Sequence, residues 1–232
     1  MRIIVAGSKP WSREGFEDFQ DSLENCQCSF VWNPSELETV ISSLEGLPAT
    51  VFVLHWNWII PKALLDQAIF VCFHMTDLPF GRGGSPLQNL ISAGISQTKL
   101  TAFVMDEGID TGPILMKKEL SLHGSASEIF LRQTLLSYAM ANQIATSEIV
   151  PIGQSGEVVE FRRRSPDMSD TFHAATPNEL YDMVRMVDAD TYPRAYLQGE
   201  RFRAEFQDVK FHEGNVTCTT TFVFAENKGD SN

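Results

Sequence analysis

Basic residues are scarce in this 232-residue chain. It carries 18 lysines and arginines against 30 aspartates and glutamates, a formal net charge of −12. So acidic a chain lacks the electrostatic footprint needed to track a phosphate backbone, and nucleic acid is not an expected partner. The one basic run, Arg162 to Arg164, reads as a solvated surface stretch. Long apolar runs are missing too. None approaches the roughly 20 residues that span a bilayer, so no membrane helix is expected, and no leader is read ahead of the first strand. Cysteine is sparse: Cys26, Cys28, Cys72 and Cys218. Cys26-x-Cys28 has no second pair at metal-finger spacing, so neither a structural zinc site nor a disulfide framework is expected. A reducing, cytoplasmic compartment fits that usage. The first glycine turn, Gly7-Ser-Lys-Pro10, lacks G-x-G-x-x-G, and no Walker lysine motif occurs, which argues against a bound dinucleotide.

What is present is globular: 43% hydrophobic and 21% charged residues, with no internal repeat. Short β-branched runs alternate with helical patterns. Strands are predicted at 2–7, 29–32, 49–55 and 69–74, with helices at 12–26 (Phe16, Phe19 and Leu23 on one face), 34–44 (capped by Asn33 or Ser35) and 61–67. A helix at 86–94, strands at 98–105 and 114–120, and a helix at 125–149 follow. Composition shifts after Pro151, with a turn at 153–156 and a polar stretch at 160–170. A helix at 177–187 opens on a Thr176/Glu179 capping box, and strands 202–211 and 215–224 form a hairpin about Glu213-Gly214. This predicts an α/β fold: a Rossmann-like, mostly parallel sheet flanked by helices over 1–150, a small C-terminal helix and β-hairpin region over 151–225, and a frayed tail at 226–232.

The chemistry concentrates in two loops that follow strands. Strand 69–74 places Cys72 and His74 on one face, since residues i and i+2 share a side. His74 falls at the strand's carboxyl end, where open α/β sheets bind ligands. The chain then runs through Leu78, Pro79, Gly81, Arg82, Gly83 and Pro86. The second loop, 105–113, carries Asp106 and Asp110. A histidine facing a carboxylate is the minimum for general acid–base work, although a lone histidine and an Asp-x-Gly turn are more often structural. His55 is a backup candidate.

Taken together, the two segments resemble the formyltransferase family that uses 10-formyltetrahydrofolate. Its pattern Asn-x-His-Pro-Ser-Leu-Leu-Pro-x-x-Arg-Gly-x-x-Pro is matched at His74, Leu78, Pro79, Arg82, Gly83 and Pro86. Its Asp-x-x-x-Asp-x-Gly-Pro is matched at Asp106, Asp110, Gly112 and Pro113, and Asn57-Trp-Ile-Ile-Pro61 resembles its folate-pocket segment. The resemblance makes 1–150 the catalytic domain. It implies 10-formyltetrahydrofolate as co-substrate and no metal. His74 would manage protons, with Asp110 holding its ring. Trp58, Ile59, Ile60, Leu78, Asp106 and Gly108 would bind folate, and Arg82 and Gly83 the acceptor. The family's catalytic asparagine falls at Cys72. A thiol is a weak donor, and losing one oxyanion donor costs roughly 3–4 kcal/mol. His74 and Asn57 are the replacement donors the sequence offers. Gly81 stands where the family has Tyr or Phe, and is expected to loosen the loop or open space.

The acceptor this reading favours is the amine of a nucleotide-linked amino sugar. The −12 charge argues against tRNA, and Arg163, Pro166, Asp167 and Tyr192-Pro193-Arg194-Ala195 loosely resemble the linker of sugar N-formyltransferases, with a weaker likeness to nonulosonic (pseudaminic) acid pathway types. The alternatives are another folate-dependent formyltransferase, a formyltetrahydrofolate hydrolase, or a non-catalytic folate-binding relative. A homodimer is compatible with each of these.

Overall fold

The structure, a computed structural model, describes residues 2–24 and 26–224. The expected tail at 226–232 lies outside them. The backbone groups into two compact units, residues 2–86, 97–122 and 130–162, and residues 87–96, 123–129 and 163–224.

The first unit is built on β1 (Arg2–Gly7), β2 (Gln27–Val31), β3 (Ala49–Leu54) and β4 (Ile69–His74), which pair in parallel, and β6 (Gln97–Val104) and β7 (Ile114–Ser121), which add antiparallel. The sheet order is β2-β1-β3-β4-β6-β7. Strands buried on both faces must be apolar throughout. On one face Ile4, Ala6, Val51, Val53 and Phe70 pack with Leu37 and Ile41 of α2 (Pro34–Ser42) and Leu64 of α3 (Lys62–Leu65). On the other, Phe52 meets Phe19 of α1 (Phe16–Asp21), and Phe19 meets Tyr138 of α5 (Ala126–Thr146). Asn33 caps α2 by accepting from the Glu36 amide.

The single helix expected at 12–26 is instead a 3-10 turn, Pro10–Arg13, followed by α1. Gly15, at φ 86°, breaks the two apart in the left-handed region. Two short strands of this unit went unforeseen. β5 (Phe80–Gly83), inside the expected loop, pairs in parallel with β8 (Val159–Phe161). Before β8, Ile152 bridges Ile114 through two backbone hydrogen bonds of 2.7 and 2.8 Å. Residues 152–161 therefore run as a strap from the start of β7 to β5.

The second unit contains α4 (Pro86–Ser92) beyond its first residue, α6 (Pro177–Arg185) and a three-stranded sheet, β11-β10-β9, made of β9 (Ala195–Gln198), β10 (Phe202–His212) and β11 (Asn215–Phe224). The hairpin turns at Glu213-Gly214, and Thr176 caps α6 by accepting from the Glu179 amide, both as the sequence implies. The strand β9 was not foreseen; it is four residues long.

Candidate active site

β4 ends at His74, opposite Thr101 of the antiparallel β6. The next turns are pinned to the sheet. Thr101 Oγ1 donates to the Thr76 carbonyl at 2.6 Å, and Asp77 forms ion pairs with Lys99 (3.0 Å) and Lys117. Burial works to raise the Asp77 carboxyl, but the two lysines outweigh it and hold it below its ordinary range.

The His74 ring is buried, and both nitrogens face acceptors. Nε2 lies 2.8 Å from the Gly81 carbonyl, and Nδ1 lies 3.6 Å from Asp110 Oδ2. A carbonyl can only accept, so Nε2 carries a hydrogen and Nδ1 is the atom at which a proton can come and go beside the carboxylate. The same Asp110 oxygen accepts from the Gly83 amide at 2.8 Å, which fixes its position. Asp110 itself sits in the left-handed region, φ 55°. The turn it opens is pressed against β6: Val104 N donates to the Pro113 carbonyl, and a Cβ on Gly112 would stand 1.7 Å from the Val104 carbonyl oxygen. Only glycine fits there.

Among the described residues Asp106 makes no ion pair or hydrogen bond with His74. Its Oδ1 accepts from the Gly108 amide (3.0 Å) and the Thr111 hydroxyl (2.5 Å), closing the loop on itself. Gly81 is not loose. It has φ 76°, its carbonyl holds His74, and a Cβ there would meet Thr76 at 2.7 Å and Phe161 at 2.8 Å. The expectation of a loosened loop is therefore corrected: a side chain at 81 has no room.

The other residues named from the sequence divide. Cys72 lies one residue-pair before His74 on the same strand face, half-buried. Burial first, and the Asp110 charge second, push its thiol well up, so it stays protonated. Arg82 donates through Nε (3.2 Å) and Nη2 (2.7 Å) to Gln154 Oε1. Trp58 and Ile59 are exposed, with Trp58 edge-on to Trp56. Ile60, by contrast, is in the core with Ile4 and Leu64, and Leu78 is wholly buried. Neither side chain is exposed. Asn57 is exposed, and among the described residues it makes no hydrogen bond to His74, Cys72 or Asp110. His55 is structural. Its Nε2 lies 2.9 Å from the Thr134 hydroxyl, its ring meets Trp11 and Phe130 edge-on, and burial pushes it down to about 3. Among the described residues no group of three His, Cys, Asp or Glu could hold a metal ion. None of their helices is long and apolar enough to cross a membrane.

Sequence reasoning missed Gln154, which its neighbours Gly153 and Gly156 disguise as part of a surface turn. Its amide donates to the carbonyls of Asp110 (2.8 Å) and Gly112 (2.9 Å) while accepting from Arg82. Its partners lie 42 to 72 residues away in the chain, so no local pattern could reveal them.

A Rossmann-like sheet that ends one strand in a histidine, set against the aspartate of an Asp-x-Gly-Pro turn, defines an α/β protein with a candidate acid–base pair at a strand end. The chain belongs to the formyl transferase family, whose model matches residues 6–139; a second model, the C-terminal domain of methionyl-tRNA formyltransferase, matches residues 166–223. It is 29% identical over 186 residues to a methionyl-tRNA formyltransferase of Synechococcus sp. (strain JA-3-3Ab), covering 75% of this chain and 57% of that protein. The chain spans about half the length of the curated relatives it matches. Among solved structures, a methionyl-tRNA formyltransferase from Clostridium thermocellum superposes with a TM-score of 0.91 at 37% identity, covering 97% of this chain and all of that one. A 4-N formyltransferase from Francisella tularensis, at 16% identity and a TM-score of 0.65 over 97% and 98% of the two chains, shares the fold.

Proposed function

We propose that this chain transfers the formyl group of 10-formyltetrahydrofolate to the amine of a nucleotide-linked amino sugar. The observation that carries the chemistry is the His74–Asp110 pair at the end of β4, Nδ1 to Oδ2 3.6 Å. The acceptor nitrogen attacks the formyl carbon, forming a C–N bond and a tetrahedral oxyanion. Collapse breaks the bond to the folate nitrogen. One proton must travel from the attacking to the departing nitrogen, and His74 Nδ1, backed by the Asp110 carboxylate, is the group placed to accept and return it. Cys72 fills space beside this pair as a neutral thiol and takes no covalent part. The acceptor reading rests on the −12 charge. A second reading, methionyl-tRNA as acceptor, is favoured by the match of residues 166–223 and by the name of the Clostridium protein.

The test is incubation with 10-formyltetrahydrofolate and, separately, a panel of nucleotide amino sugars, methionyl-tRNA, or no amine. Formyl gain is read by mass spectrometry and folate release by absorbance. Formylation of a sugar, lost in His74→Ala, is expected. Formylation of the tRNA alone replaces the acceptor, and folate turnover without any amine makes the protein a hydrolase. No turnover in any arm ends the enzymatic reading.

A further inference from the structure

We propose that Gln154 is a positioning residue of the transfer site: one amide holds the Asp110 turn and the Arg82 guanidinium in a single arrangement. The proposal rests on the formyl-transfer reading above. A primary amide offers two hydrogens and an oxygen with two lone pairs, and Gln154 uses all four. Oε1 accepts from Arg82 Nε (3.2 Å) and Nη2 (2.7 Å); Nε2 donates to the carbonyls of Asp110 (2.8 Å) and Gly112 (2.9 Å). A flipped amide would set donors against the guanidinium and an acceptor against two carbonyls, so the partners fix its orientation.

The contacts close a ring. Gln154 holds Arg82, the next peptide is Gly83, the Gly83 amide holds Asp110 Oδ2, and the Asp110 carbonyl returns to Gln154. Asp110 is the strained member, at φ 55°, a conformation that persists only where its surroundings over-determine it. Gln154 grips it from the carbonyl side and Gly83 from the carboxylate side. The bridge of Ile152 to Ile114 and the pairing of β8 with β5 anchor the strap on either side of residue 154. The carboxylate facing His74 and the cation proposed to bind the acceptor are thus set by one side chain whose four hydrogen bonds all go to protein groups.

Gln154→Glu separates the two halves. Its carboxylate keeps the Arg82 contacts, now charge-assisted, but turns an acceptor on the two carbonyls. Misplacement of a reacting group by about 1 Å costs on the order of 100-fold. With the folate donor and whichever acceptor the wild-type chain uses, kcat of Gln154→Glu is expected to fall roughly 10- to 100-fold while the acceptor KM stays at the wild-type value. Gln154→Ala is expected to lose kcat and raise that KM. Amide exchange at 106–113, which needs no turnover, is expected to quicken in both variants. A wild-type kcat in Gln154→Glu overturns the proposal, as does a loss of kcat and KM alike that merely follows the thermal midpoint. Unchanged exchange at 106–113 in Gln154→Ala overturns it whatever the activity. A wild-type chain that transfers no formyl group ends the functional reading instead, and the exchange measurement then decides the stitching alone.

Discussion

At the residue scale the site is asymmetric around one strand end. His74 is held by a carbonyl on one nitrogen and a fixed carboxylate near the other, whereas Cys72, two residues earlier, has no group positioned to ionise it. His74→Ala is expected to lower formyl transfer by about 100-fold or more with the thermal midpoint retained, the usual scale for losing a general acid–base. Full activity in that variant would sink the assignment. A covalent role for Cys72 needs a thiolate, and burial and Asp110 both oppose one. Cys72→Ala is expected to keep most of the activity, Cys72→Asn to match or exceed wild type, and iodoacetamide to leave the rate intact near neutral pH. A drop beyond about 100-fold in a folded Cys72→Ala would give the thiol a direct part, on the same scale.

Elements place these residues, and two of the joints are testable. His55 directly follows β3 and ties it to Trp11 and to α5 through Phe130 and Thr134. Its folded value is pushed from 6.5 down to about 3, burial being the larger cause and Lys9 the lesser. Above pH 6.5 the folded and unfolded chains both hold it neutral, and it costs nothing. Below that the unfolded chain takes up a proton and the folded chain does not, so stability falls with pH by up to ~1.4 kcal/mol per unit until about pH 3. Urea midpoints are expected to fall more steeply from pH 7 to about 5 in wild type than in His55→Gln. Parallel curves would shift the acid sensitivity to the carboxylates. The β5–β8 joint depends on Gly83, at φ 101°, where a Cβ would stand 2.5 Å from the Phe161 carbonyl oxygen. Gly46 shares a positive φ of 81° but has nothing within 4 Å. Gly46→Ala is expected to cost about 1 kcal/mol of backbone strain and Gly83→Ala clearly more, together with a loss of turnover. Equal denaturation midpoints in the two variants would count against the tight approach of β8.

For the whole molecule, charge separates the acceptors. A small charged sugar nucleotide engages few phosphates, while tRNA engages many and releases their counterions. If the acceptor is a nucleotide amino sugar, kcat/KM is expected to change little between about 50 and 200 mM salt. A tRNA acceptor would lose affinity by orders of magnitude over that range, and the slope of log K against log salt would count the phosphates held. A steep slope with methionyl-tRNA would overturn the inference drawn from the −12 charge.

The sequence by itself determined whatever is encoded within a few neighbours. The β-branched run 69–74 specifies β4 to the residue, Asn33 and Thr176 specify their caps, and Glu213-Gly214 specifies the hairpin. The resemblance of the two loops to the formyltransferase motifs named His74 and Asp110 as the pair that the fold sets 3.6 Å apart. Only the tertiary structure decided the rest. β5 and β8 are short strands that exist through each other, although some 80 residues separate them, so neither carries a pattern of its own. Ile60 and Leu78 match a pocket motif yet face the interior, because which side of a loop is covered depends on what folds over it. Gly81 reads as freedom and is confinement, since Thr76 and Phe161 fill the space a side chain would need. Gln154 has no local signature, because all four of its hydrogen bonds go to residues that only the folded chain brings within reach.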